Sequence, residues 1–183
     1  SNVLSPYQSG FRRNHSTKHD ILNMTQKITN ALHAGKYGCD IFINLQNAFD
    51  TVDHKILLRK LFHYDIRGKP LDLFRSYLTN RLQFVNINGV SSSESVVKHG
   101  VPQGSVLGPI IFNIYIRSIY NTIKSTLFNV HGFADDHQVF KSFQAENEYQ
   151  ILANDLPLCF RAINEWMSSH YLQLNPGKTE IIV

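Results

Sequence analysis

The sequence predicts an α+β fold in which an antiparallel sheet packs on helices. Three observations carry this. Apolar residues recur at helical spacing in several separate stretches. Short β-like runs occur in adjacent pairs, one joined by Asn88-Gly89, a strong hairpin signal. The acidic tetrapeptide Phe133-Ala134-Asp135-Asp136 lies between two further β-like runs. Helices mixed with antiparallel hairpins, rather than strictly alternating with single strands, define the class.

Taken in order, Thr17-x-x-Asp20 has the form of a capping box, and Ile21, Met24, Ile28, Ala31 and Leu32 follow on one helical face up to Gly35. Tyr37 to Leu45 reads as a buried strand. Asp53 is placed to cap a helix bearing Ile56, Leu57, Leu61 and Phe62. Pro70 opens another through Leu71, Phe74, Tyr77 and Leu78, since proline is tolerated in a first helical turn. Leu82 to Asn88 and a strand near Ser95 to Lys98 flank the Asn88-Gly89 turn. Gly104 to Ile123 reads as one helix, with its true start near Pro109. Leu127 to Phe133 and His137 to Phe143 form a hairpin around the two aspartates. Glu146 to His170 reads as a long helix with Pro157 placed to kink it. Tyr171-Leu172 and Thr179 to Val183 read as closing strands.

A chain of 183 residues is long enough for one domain with a full core. With 43% apolar and 17% charged residues it reads as globular rather than disordered. The formal net charge of +4 is compatible with a phosphate-rich partner but does not by itself call for one. Cys39 and Cys159 make no disulfide framework and no zinc spacing, and both sit in apolar runs as buried thiols. No signal peptide and no bilayer-spanning apolar run is present, so the expectation is an intracellular protein without membrane contact, nuclear or cytoplasmic. The abrupt start at Ser1 and the stop inside Ile181-Ile182-Val183 suggest a piece of a longer protein.

Three segments carry chemistry. Paired carboxylates on a rigid hairpin tip can hold divalent cations, which prefer carboxylate and phosphate oxygens. Nucleotidyl transfer commonly uses two such ions about 3.5–4 Å apart. An isolated Asp-Asp pair is more often a solvated turn; the apolar flanks here narrow that gap. In Val101-Pro102-Gln103-Gly104-Ser105, proline fixes the turn, glycine permits close approach and Gln103 offers an amide. That segment suits a base pair or nucleotide sugar, and equally a helix-entry loop. The run from Ile41 through Asn44 to Ala48-Phe49-Asp50 could set an aromatic ring against a ligand, although a core phenylalanine is the plainer reading.

Together with Leu4-Ser5-Pro6-Tyr7-Gln8-Ser9-Gly10-Phe11-Arg12 and Leu174-Asn175-Pro176-Gly177-Lys178-Thr179, these segments in this order resemble the reverse transcriptases of non-LTR (LINE-type) retrotransposons of jockey-like kind. The resemblance spans essentially the whole chain. It implies a right-hand polymerase palm with partial fingers: fingers remnants at about 1–36 and 54–100, palm at about 37–53 and 101–183, and no thumb. It implies RNA-directed DNA synthesis from dNTPs on an RNA template and DNA primer, with Mg2+ as the ion and Mn2+ as the alternative. Asp135 would be a metal-binding catalytic acid and Asp136 its supporting partner. Phe49, next to Ala48, would be the gate against a ribose 2′-hydroxyl. Gln103 and Gly104 would line template and nucleotide. Lys178 would donate a proton to pyrophosphate, and Arg12 matches a basic element of the nucleotide-binding side.

One position departs from the pattern. Five residues before Phe49, where the resemblance calls for an aspartate bridging both metals, stands Asn44. An asparagine lends a carbonyl oxygen but no charge, so weak metal binding and poor polymerisation are expected. Asn113, inside an apolar helix face, and Arg117-Ser118, in place of a polar Asn-Asp pair, point the same way, to a degenerate copy or a deliberately altered one. The alternative reading is a catalytically inactive nucleic-acid-binding domain of the same fold; a structural relic is a third. A metal-dependent nuclease would leave the Val101 to Ser105 segment without a role.

Overall fold

The computed structural model describes residues 3–183. Ser16, rather than Thr17, caps α1 (Thr17–His33): its hydroxyl accepts from the His19 N–H. Asp20 does not reach back to complete a capping box; its carboxylate turns to Ser9 and His131. No residue of α1 is fully buried, and Ile21, Ile28 and Leu32 remain exposed.

The strand β1 (Tyr37–Ile43) alternates as its sequence requires, with Cys39, Ile41 and Ile43 buried. Asp53 accepts from the Ile56 N–H at 2.8 Å to cap α2 (His54–His63), and Pro70 lies in the first turn of α3 (Lys69–Leu78). Beyond α3, β2 (Leu82–Gln83), β3 (Asn86–Ile87), β4 (Val90–Ser91) and β5 (Ser95–Val96) form two short antiparallel ladders, β3 with β4 and β2 with β5. Asn88 and Gly89 both have positive φ, as a two-residue hairpin turn needs.

The expected helix from Gly104 to Ile123 is two helices, α4 (Gly108–Ile116) and α5 (Ile119–Ser125). They part at Arg117-Ser118 because that corner is held from outside. The Lys60 ammonium donates to the Tyr115 carbonyl near the end of α4 and to the Ser118 hydroxyl, which also accepts from the Trp166 indole at 3.1 Å. The hairpin is β6 (Asn129–Phe133) and β7 (Asp136–Phe143). The long helix expected over Glu146 to His170 is divided into a 3-10 turn, the short α6 (Glu148–Gln150), a π turn at Ile151–Asp155 and α7 (Leu156–Ser169). Pro157, which cannot donate back along a helix, falls in the first turn of α7, and the π turn takes up the break. Tyr171-Leu172 is not a strand. Tyr171 is left-handed and the Leu172 N–H returns to the Met167 carbonyl at 3.0 Å, closing α7. The final strand, β8, is limited to Glu180–Ile182.

The main sheet runs β6–β7–β1–β8, antiparallel throughout, with Ile41 opposite Val139 and Ile43 opposite His137. Its inner face (Ile41, Ile43, Val130, Val139) packs on Ile111 and Tyr115 of α4, Ile119 and Ile123 of α5, and Ile163 and Met167 of α7. Each such buried aliphatic side chain contributes about 1.5–3 kcal/mol. Cys39 and Cys159 are buried free thiols, as expected. The outer face, with Phe42, Gln138 and Phe140, is half-buried beside α1. The acidic hairpin is therefore anchored on a helix-backed layer.

Candidate active site

The pairing of Phe133 with Asp136 leaves Ala134 and Asp135 as a two-residue turn, so Asp136 starts the strand and Asp135 caps the tip. Asp135 is half-buried and Asp136 exposed. Burial raises the Asp135 carboxyl above its usual range; the charge of Asp136 adds to the rise, while the Asp135 backbone and the Lys178 ammonium oppose it. Lys178 is brought alongside because residues 173–175 run beside 44–46: the Gln46 N–H donates to the Gln173 carbonyl and the Asn175 N–H to the Asn44 carbonyl, each at 2.9 Å.

Asn44 leaves the end of β1 next to Asp136, and its Nδ2 donates to Asp136 Oδ1 at 2.7 Å. The strand register thus delivers residue 44 to the acidic tip. There its amide bonds a carboxylate, where an aspartate would add negative charge. Among the described residues, no group of three or more His, Cys, Asp or Glu side chains gathers in metal-binding fashion. The donor set of two carboxylates and one amide oxygen is of the kind a hard divalent cation takes.

Phe49 stacks on Phe112 with ring centroids 4.5 Å apart and meets the edge of the exposed Phe11 at 6.5 Å. Ala48 is buried beneath it. Gly100 makes this corner tight: at φ +85°, a Cβ there would sit 2.9 Å from the Asp50 carbonyl oxygen. The Val101 N–H then reaches the Phe49 carbonyl at 2.9 Å. Gln103 and Gly104 are exposed, and Gln103 Nε2 donates to Asp50 Oδ1 at 2.8 Å. The segments around Phe49 and Gln103 are thus adjoining. Arg12 is differently engaged: its guanidinium donates to the Ser5 and Gln8 carbonyls at 2.7 and 2.9 Å, bracing its own segment.

Sequence reasoning missed the support beneath the turn. Residues 7–9 run along β6, with the Ser9 N–H on the Gly132 carbonyl and the Gly132 N–H on the Tyr7 carbonyl, both at 2.8 Å. This directs the buried Gln8 side chain under Ala134, where it meets Tyr120. Burial pushes the His137 imidazole down to about 4, so it is neutral at physiological pH, and it pushes the Tyr120 hydroxyl upward. Asn113, expected as a sign of decay, is buried and donates to the Gly10 carbonyl at 2.8 Å. Arg117 lies 4.4 Å over the Tyr64 ring, and Ser118 receives two donors. Both of these further departures thus have packing roles. The signal available in the sequence was the run Tyr7-Gln8-Ser9-Gly10 itself, which periodicity does not interpret.

The family model described as reverse transcriptase (RNA-dependent DNA polymerase) matches residues 2–183. The chain belongs to the reverse transcriptase family. The jockey-like resemblance is borne out: this reverse transcriptase domain is 31% identical to the probable RNA-directed DNA polymerase from transposon BS of Drosophila melanogaster, over 97% of its own length and 20% of that protein's. It is also 31% identical to the RNA-directed DNA polymerase from mobile element jockey of the same fly, over 96% of its length and 19% of the relative's. The domain therefore spans about a fifth of the curated relatives it matches. Among solved structures, telomerase from Candida tropicalis in complex with a telomeric RNA fragment aligns with TM-score 0.72 at 15% identity, covering 96% of this chain and 30% of that one. Telomerase from Candida albicans aligns with TM-score 0.70 at 15% identity, over 92% and 30% respectively. These likenesses bear out the fold class. Enzymes of this family act with divalent metal ions.

Proposed function

We propose that this domain carries the RNA-templated DNA polymerase site of a non-LTR retrotransposon and that Asn44 holds its activity low. The observation that carries the reading is the Asp135–Asp136 hairpin tip beside Lys178, with Phe49 and Gln103 on adjoining segments. In this reading residues 37–53 and 101–183 are palm and residues 1–36 and 54–100 are fingers, working on RNA template, DNA primer and dNTPs inside the cell.

Asp135, Asp136 and the Asn44 amide oxygen would hold the ion, magnesium first and manganese as the alternative. When bound, the ion supplies charge neutralisation at the primer hydroxyl and the leaving pyrophosphate. The residues of the chain do the rest. Phe49, fixed by Phe112, presents a rigid wall where a ribose 2′-hydroxyl would fall. Gln103 and Gly104 line the nucleotide and template path, with Asp50 orienting the glutamine amide. Lys178 protonates pyrophosphate as it departs. The Asn44 amide nitrogen is already bonded to Asp136, and its oxygen would bring a cation no charge.

The test is primer extension on an RNA template with magnesium, at low salt because primer–template affinity is largely phosphate contact. The native chain is run beside Asn44→Asp and Asn44→Asp/Asp135→Asn. Extension by Asn44→Asp alone is expected. Equal extension by all three would refute the assignment. The Asn44–Asp136 hydrogen bond favours a second reading, a nucleic-acid-binding domain without catalysis. That reading expects salt-sensitive binding of primer–template and no extension by any variant.

A further inference from the structure

The Asp135–Asp136 turn begins with a conformational penalty. Ala134 has φ +58°, the left-handed region, which costs a residue with a Cβ roughly 1–2 kcal/mol. Such a conformation persists where the surroundings over-determine it, and here one side chain does so. Gln8 Oε1 accepts from the Ala134 N–H at 2.9 Å, and Gln8 Nε2 donates to the Ala134 carbonyl at 2.9 Å. One amide therefore holds both polar groups of the strained residue.

The remaining hydrogen-bonding capacity of that amide is also used, and in a single direction. Gln8 Oε1 accepts a second hydrogen from the Gly10 N–H at 2.8 Å, and the second Nε2 hydrogen goes to the Tyr120 hydroxyl at 2.9 Å. His137 Nδ1 donates to the Asp135 carbonyl at 3.0 Å, and its Nε2 lies within hydrogen-bond distance of the Tyr120 hydroxyl at 3.2 Å. Gln8, Tyr120, His137 and the Asp135 carbonyl form one continuous hydrogen-bonded chain. It reaches the turn from two sides, through Ala134 directly and through Asp135 by relay. Gly10 permits the close approach, since a Cβ there would overlap the Ala134 backbone nitrogen. A fully satisfied buried network of this kind specifies one conformation.

We propose that Gln8 is a positioning residue of the catalytic site, holding the Asp135–Asp136 turn in the conformation that presents both carboxylates to a divalent cation. The inference rests on the reading of these two aspartates as the metal-binding acids. Gln8 touches neither cation nor nucleotide; it acts through the backbone of the turn.

The test uses Gln8→Met, which keeps the length of the side chain and removes its hydrogen bonds, and Tyr120→Phe, which removes only the relay. In the native chain, Gln8→Met is expected to speed amide exchange at Ala134 by ten-fold or more, on the order of one lost hydrogen bond, while exchange at the core amides of Ile41 and Val139 stays unchanged. Uniform loss of protection at all three would mean a merely structural role and overturn the proposal. In the Asn44→Asp background, Mn2+ affinity followed by electron paramagnetic resonance should fall about ten-fold with Gln8→Met and less with Tyr120→Phe, as for other residues that orient ligands. Primer extension should lose kcat with little change in the KM for dNTP. Unchanged Mn2+ affinity in folded Gln8→Met overturns the proposal. If Gln8→Met does not fold, Tyr120→Phe decides in the same way. If Asn44→Asp extends no primer but loses Mn2+ affinity on Gln8→Met, the polymerase reading fails and the positioning role stands.

Discussion

Beneath the Asp135–Asp136 turn, every polar atom of the Gln8 side chain, the Tyr120 hydroxyl and both ring nitrogens of His137 have partners. Above it, the two carboxylates meet an amide from Asn44 and the charge of Lys178. The underside is buried, directional and complete. The upper rim is more open to solvent, and an amide rather than a carboxylate stands beside Asp136. The contrast separates what the fold requires from what the chemistry requires. Asn44 keeps its place in the strand register beside Asp136, because asparagine has nearly the same shape as aspartate and finds a hydrogen bond with Asp136. On the proposed reading, the machinery for placing the acids persists while the electrostatics for using them are reduced.

The sharpest break of this comparison is at the rim. Asn44→Asp should raise single-turnover nucleotide incorporation by on the order of 10²–10³, the scale on which loss of one stabilising group at a developing charge is felt. A rise of less than about ten-fold, with the variant folded, would mean that the rim is not what limits the site. Damage to the underside alone should act through stability first. Gly10→Ala drives a methyl group into the Ala134 backbone and is expected to lower unfolding free energy by about 1–3 kcal/mol in a urea titration. An unchanged midpoint would show that the turn has room the packing denies.

Much of this contrast was legible beforehand, and the residues show why. Strands with period-two burial such as Tyr37–Ile43, the Asp53 cap and the Asn88-Gly89 turn follow local rules that the chain carries in plain order. The departure at Asn44 was likewise visible as a missing charge. What stayed hidden depends on partners far apart in sequence. The break between α4 and α5 needs Lys60 and Trp166. Asn113 reads as a polar flaw on an apolar helix until the Gly10 carbonyl is set against it. Gln8 has meaning only once residues 7–9 lie along β6 and place its amide under Ala134. The capping box was misplaced by one residue because Ser16 and Thr17 are equally plausible caps, and Asp20 was drawn away by Ser9 and His131.

Two smaller effects sharpen the comparison further. Phe49, proposed as the sugar gate of the rim, is packed toward the core, since it stacks on Phe112. Phe49→Val in the Asn44→Asp background should relax discrimination against ribonucleotides by about ten-fold, the value of a modest change in pocket shape. Equal discrimination by both forms would remove Phe49 from the sugar gate. Far from the turn, Lys60 lies half-buried against the rings of Tyr115 and Trp166, and that burial pushes its ammonium down to about 7. The unfolded chain holds that proton up to the ordinary lysine range near 10.5, so between pH 7 and 10.5 the unfolded state binds more protons. Stability should therefore rise with pH from about 7, and the contribution is lost as pH falls back to 7. Thermal melts of native protein and Lys60→Met between pH 7 and 8.5 should differ in slope, the native chain gaining more on the alkaline side. Parallel slopes would mean that Lys60 keeps its proton in the fold.

The most direct measurement of the missing charge is a Mn2+ titration of the native chain beside Asn44→Asp, followed by electron paramagnetic resonance at one ionic strength. Affinity set by the number of carboxylates predicts weak binding to the native chain and binding tighter by on the order of ten-fold or more with the aspartate. Equal affinities would contradict the account, because the rim would then hold metal as well with an amide at position 44 as with an acid.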